Sequence, residues 1–97
     1  MEINILMTKI ILNLTGCKSV PKLHDIIKET FNFPNYYGKN LDALWDCLRG
    51  YCSPDTTIYI VGFNTLPQNL YEYTEKIFKI FEDVKQEVKN LNFEIIS

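Results

Sequence analysis

Histidine is the scarcest reactive group in this 97-residue chain, occurring only once, at His24. A Ser-His or Cys-His mechanism needs an imidazole beside its nucleophile. No serine motif and no partnered thiol accompanies His24, and the nearest carboxylate is Asp25. His24 lies off the apolar stripe of its own segment, one turn before Lys28, so a surface position is expected. Cys17, Cys47 and Cys52 lack C-x-x-C spacing. That argues against a zinc-finger ligand set and for free thiols in a reducing compartment, with no Cys47–Cys52 bridge. Glycine is sparse, and Gly38-Lys39-Asn40 lacks the glycine-rich turn and Ser/Thr of a phosphate loop. Basic residues are not in excess: 10 Lys and Arg stand against 12 Asp and Glu, interspersed, for a net charge of −2. A nucleic-acid binder usually carries a basic stripe, and none is visible. No long apolar run and no basic n-region opens the chain, so neither a membrane span nor a signal peptide is expected, and the cytoplasm is the expected location. No cofactor, no metal and no enzymatic activity are expected.

The chain does have a sufficient apolar fraction, 46%, to build a core. Its length suits a single domain over residues 1–97, with residues 1–7 as a possible N-terminal extension. Residues 9–14 form a near-continuous apolar run that predicts a central strand. Ser19-Val20-Pro21 opens a helix over 20–30, with Leu23, Ile26, Ile27 and Phe31 on its buried stripe. Residues 56–61 are β-branched and aromatic, the clearest strand. Thr65-Leu66-Pro67-Gln68 matches a capping box and predicts a short helix over 66–72. A longer helix follows over 74–89, then an alternating strand over 91–95. Strands joined by helical crossovers point to an α/β fold with a small parallel sheet.

The stretch from Phe33 to Tyr51 carries the functional signal. It reads as an irregular loop feeding a helix from Leu41 to Arg49, with Asn40 as N-cap and Gly50 as the left-handed residue after its end. Leu41, Leu44 and Leu48 form one stripe. Asp42, Trp45, Asp46 and Arg49 share the other. Two carboxylates one turn apart repel by about 0.2–0.5 kcal/mol. Beside a tryptophan, they suit a surface that meets a cationic target. A plainer reading stands next to it. Asp42 suits the helix dipole, Asp46 and Arg49 could pair, and Trp45 could fold back onto a neighbouring loop.

From Tyr36-Tyr37-Gly38 through Asn40-Leu41-Asp42-Ala43-Leu44-Trp45-Asp46 to Leu48, the sequence resembles the barstar family of intracellular ribonuclease inhibitors. The order of elements fits over residues 8–97. The resemblance implies a three-stranded parallel sheet with about four helices. It implies inhibition by occlusion, with the acidic helix and its loop plugging the active site of a basic, barnase-like, extracellular-type ribonuclease made by the same cell. Asp46 would take the place of a substrate phosphate and Asp42 would pair with a nearby base. Tyr36 would face the enzyme's catalytic histidine, while Tyr37 packs into the inhibitor's core. Gly38, Asn40 and Leu41 would line the contact, with Trp45 and Tyr51 on its flank. Asp83 would add a further acidic contact, with Ile80 one turn before it. Lys39 and Arg49 depart from the family pattern by placing bases on an acidic face, and the formal charge from Tyr36 to Tyr51 is near zero. An acid on the partner near Arg49 or Lys39 would answer them. Two alternatives remain: a barstar-like module whose partner is not a ribonuclease, and a domain that self-associates through Trp45, although a monomer is favoured.

Overall fold

The computed structural model describes residues 7–97. Apart from Met7, the possible N-terminal extension lies outside them. In chain order the elements are β1 (Thr8–Asn13), α1 (Val20–Phe31), α2 (Leu41–Tyr51), β2 (Thr56–Val61), a 3-10 turn (Phe63–Thr65), α3 (Gln68–Val84) and β3 (Leu91–Ile95). The three strands form one parallel sheet in the order β1-β2-β3. The α/β class and the parallel sheet agree with the sequence expectation.

β1 is an edge strand rather than the central one. Its apolar run is buried on one side only: Leu12 is 1% exposed, whereas Ile11 is 64% exposed. The central place belongs to β2, whose Thr56, Ile58 and Ile60 are fully buried. Register aligns Ile10 with Ile58 and Phe93, and Leu12 with Ile60 and Ile95. This face meets the helices through Leu23, Ile27, Leu44, Leu48, Ile77 and Phe81, all at most 1% exposed. The opposite face aligns Ile11, Tyr59 and Glu94.

Three α-helices are present among the described residues, not four. The hydroxyl of Thr65 donates to the Gly62 carbonyl at 2.7 Å and accepts from the Gly16 amide at 3.2 Å, so it does not cap a helix. Pro67 takes the N-cap position without a side-chain cap. No glycine or proline interrupts residues 68–84, and Leu70, Thr74, Ile77, Phe78, Phe81 and Val84 form one buried stripe. The expected short and long helices are therefore one helix. It ends at Val84 rather than near Lys89, because shorter bonds replace the helical ladder: Gln86 N–H donates to Asp83 and Glu87 N–H to Val84. Asn90, at φ 56°, then turns the chain into β3.

Local signals hold at α1. The Ser19 side chain accepts from the Lys22 amide, and Asn32 closes the C-terminus at φ 57°. Gly62 is a site where only glycine fits. Its φ is 85°, and a Cβ there would lie 2.4 Å from the Thr15 backbone nitrogen. No peptide bond among the described residues is cis, so Ser53–Pro54 is trans.

Candidate protein-binding face

The loop before α2 is held from beneath. Phe33 and Tyr37 are each 4% exposed, with ring centroids 5.0 Å apart, and Phe33 also stacks on Phe31 at 5.5 Å. The Tyr37 amide donates to the Pro34 carbonyl at 3.0 Å, closing a tight turn. At its rim, Lys28 Nζ donates to Asn35 Oδ1 at 3.2 Å. Lys39 Nζ meets Asp25 Oδ1 at 2.7 Å, and this bond holds the Asp25 carboxyl below its ordinary value. Lys39 adopts φ 55°, an uncommon conformation for a side chain with a Cβ. Asn40 then caps α2, accepting from the Ala43 amide at 2.7 Å. Gly38 lies so close that a Cβ would come within 3.3 Å of the Ala43 Cβ.

Tyr37 is in the core, as expected, but His24 is not at the surface. It is fully buried on α1, with Nδ1 2.6 Å from Tyr37 Oη and Nε2 2.6 Å from Tyr73 Oη. The stripe of α1 turns toward the loop and α3, so the position beside Leu23 faces inward and Ile26 is only half-buried. Burial pushes the His24 imidazole below its ordinary value and the Tyr37 hydroxyl above.

Helix α2 buries Leu44, Cys47 and Leu48 and leaves Leu41 half-buried. Asp42, Asp46 and Arg49 are exposed. Trp45 is half-buried against the core, with the Arg49 guanidinium 5.3 Å from its ring centroid. Trp45 thus meets the core and Arg49 rather than a neighbouring loop. The Asp46–Arg49 pair does not form. Arg49 Nη2 instead reaches Glu87 Oε1 at 3.5 Å. Among the described residues, neither Asp42 nor Asp46 has an ion-pair partner. The helix also outruns its expected end at Arg49: Gly50 is helical, and Cys52 closes α2 in an extended conformation. Nothing crowds Gly50, and continuing the helix buries Cys52 beneath it. The two extra residues place Tyr51 beside the loop. Its hydroxyl lies 2.7 Å from that of Tyr36, and this bond raises the Tyr51 value.

Tyr36 remains 75% exposed, with this hydroxyl contact at its outer end. On α3, Ile80 packs half-buried against the core, and exposed Asp83 pairs with Lys79 at 3.3 Å. The structure joins Tyr36 to Tyr51 and Trp45 to Arg49. Sequence reasoning missed Asp25, His24, Tyr73 and Glu87, whose contacts span 14, 13, 49 and 38 positions to their partners and leave no local signal. Cys17, Cys47 and Cys52 are buried free thiols, and burial raises Cys47 and Cys52 above their ordinary values. No helix among the described residues is long and apolar enough to cross a membrane.

The chain is thus a small α/β domain in which a supported loop feeds a helix whose exposed Asp42 and Asp46 have no ion-pair partner among the described residues. Residues 7–96 match the family model described as Barstar (barnase inhibitor). The chain is also 36% identical over 90 residues to "Putative ribonuclease inhibitor YrdF" of Bacillus subtilis (strain 168), covering 93% of this chain and 98% of that protein. The chain belongs to the barstar family.

Proposed function

We propose that this protein is a cytoplasmic inhibitor of a basic, barnase-like ribonuclease made by the same cell, and that it acts by occlusion. The observation carrying this reading is the outward face of α2: Asp42 and Asp46 stand exposed one turn apart, without an ion-pair partner among the described residues, on a helix whose other side is buried. A ribonuclease cleft holds phosphate between cations. A carboxylate on a rigid helix can supply that negative charge with little loss of freedom on binding. Asp46 is the central anchor and Asp42 pairs with a base beside it. Tyr36, Gly38, Asn40 and Leu41 form the contact on the loop side, with Trp45, Arg49 and Tyr51 on the flank and Ile80 and Asp83 at the margin. The inhibitor does no chemistry on its target.

The paired bases support the electrostatics. Lys39 is neutralised by Asp25 and Arg49 is near Glu87, so neither cancels the two free carboxylates as fully as the formal charge of the segment suggests. The loose 3.5 Å contact leaves Arg49 donors free for an acid on the partner. Trp45 is half-covered by its own chain, which favours a monomer over self-association.

The test is titration of the protein into a basic, barnase-like ribonuclease from the same cell, with residual RNA cleavage as readout. Stoichiometric loss of cleavage is expected. A ribonuclease that stays fully active, together with capture of a different basic protein by the same face, would replace this reading with a barstar-like module of another partner.

A further inference from the structure

Residues Pro34 to Tyr37 make the tight turn of the loop, and each of its two middle residues meets another element. Asn35 accepts from Lys28 of α1 at 3.2 Å, and the Tyr36 hydroxyl lies 2.7 Å from that of Tyr51 at the end of α2. The Tyr36 side chain makes no other hydrogen bond and touches no other aromatic ring among the described residues. Its exposure leaves it little else to rest on.

Tyr51 is better anchored. It closes a helix held through buried Leu44, Cys47 and Leu48, and its ring centroid is 6.2 Å from that of buried Phe33. The next residue, Cys52, is buried beneath it. A phenol can donate one hydrogen bond and accept others. The bond makes Tyr51 hold its proton more tightly than usual, which marks it as the donor and the Tyr36 oxygen as the acceptor. Tyr36 keeps its own proton for water or for a partner.

We infer that Tyr51 is a positioning residue for Tyr36: its hydroxyl, set at the end of α2, selects one rotamer of Tyr36 and holds that ring ready on the binding face before a partner arrives. The inference rests on the reading of that face as inhibitory, and it adds what orients its most exposed aromatic. The size of the effect follows from rotamer counting. An exposed tyrosine left to itself shares three staggered χ1 wells. With one well fitting the partner, the competent fraction of an unpinned side chain is about one third, and the apparent Kd rises about threefold. The loss falls on association, because the pin acts before contact is made.

The experiment uses the full chain with Tyr51→Phe, Tyr36→Phe and both together. Tyr51→Phe keeps the ring against Phe33, so α2 should fold as before, which circular dichroism and chemical denaturation check. In the free protein, three-bond NMR couplings should report a single Tyr36 χ1 rotamer in the wild type and averaging among rotamers in Tyr51→Phe. Against a basic, barnase-like ribonuclease, Tyr51→Phe should slow association about threefold and leave dissociation unchanged. Tyr36→Phe breaks the same bond, so the double variant should bind no more weakly than Tyr36→Phe alone. A Tyr36 side chain that already averages in the wild type, or that keeps one rotamer in Tyr51→Phe, overturns the inference. So does unchanged association in Tyr51→Phe. Losses that add in the double variant also overturn it, because Tyr51 then acts on the partner directly. A Tyr36 released by Tyr51→Phe, in a protein that inhibits no such ribonuclease even as wild type, leaves Tyr51 as the residue that orients Tyr36 and removes the inhibitor reading instead.

Discussion

Helices α2 and α3 bury similar apolar stripes but arrange their charges in opposite ways. On α3, Lys79 reaches Asp83 at 3.3 Å, and Lys85 just beyond its end approaches Glu82 at 3.9 Å. Glu72, Glu75 and Lys76 of the same helix have no ion-pair partner among the described residues, but acids and bases alternate along it. On α2, Asp42 and Asp46 repeat one sign a turn apart and have no ion-pair partner among the described residues. The arrangement costs the free protein a few tenths of a kcal/mol, about 0.2–0.5 for such a pair. It makes sense where a cationic surface recovers that cost on binding. The two helices therefore differ in how charge is arranged: α3 interleaves acids with bases, whereas Asp42 and Asp46 of α2 repeat one sign a turn apart beside Trp45.

The sharpest way to break the contrast is Asp46→Ala. Removing the anchor should strand cations in the ribonuclease cleft, for which about 3–5 kcal/mol is the usual size. That is at least a hundredfold in Kd, since about 1.4 kcal/mol is tenfold. The free protein should lose no stability and gain a few tenths of a kcal/mol as the repulsion with Asp42 disappears. Titration against the nuclease and chemical denaturation measure the two halves. A variant that inhibits like wild type would leave α2 no different in kind from α3.

Asp42→Asn should come next, with a loss of about tenfold that shrinks as salt rises, because a charge at the margin acts mainly through a screened field. Arg49→Glu should also weaken binding by about tenfold if an acid on the partner meets the free guanidinium donors. Its effect on stability should stay under about 1 kcal/mol, because the Glu87 pair is exposed and loose. Unchanged affinity would remove Arg49 from the contact.

Most of this contrast could be read before any coordinates. The Leu41, Leu44, Leu48 stripe indicates which side of α2 faces out and the Asn40 cap where the helix starts, because both depend on neighbours within one or two turns. The parallel sheet followed from strand and helix alternation. What stayed hidden depends on distant partners. His24 has no local mark of burial; only the arrival of Tyr37 and Tyr73 from two other elements makes an inward imidazole affordable. Thr65 fitted a capping pattern, yet its hydroxyl was taken by Gly62 and by Gly16, 49 positions away. Gly50 looked like a stop because glycine tolerates left-handed backbone, but tolerance is not a requirement, and the helix ran on to place Tyr51 against Tyr36.

The smallest effect is expected on α3 itself. Asp83 belongs to the proposed margin by resemblance, but its carboxylate is already engaged by Lys79 one turn before it. Any partner base must compete with that lysine, and an exposed pair of this kind contributes at most about 1 kcal/mol to either arrangement. Asp83→Ala should therefore change ribonuclease affinity by less than about fivefold and stability by less than about 0.5 kcal/mol. Lys79→Ala sharpens the point, because it frees Asp83 without moving it. If affinity rises in Lys79→Ala and the rise vanishes in the double variant, Asp83 is a contact held in check by its own helix. If neither single variant changes binding, the docking face ends at α2, and α3 serves only as the wall against which the loop is set.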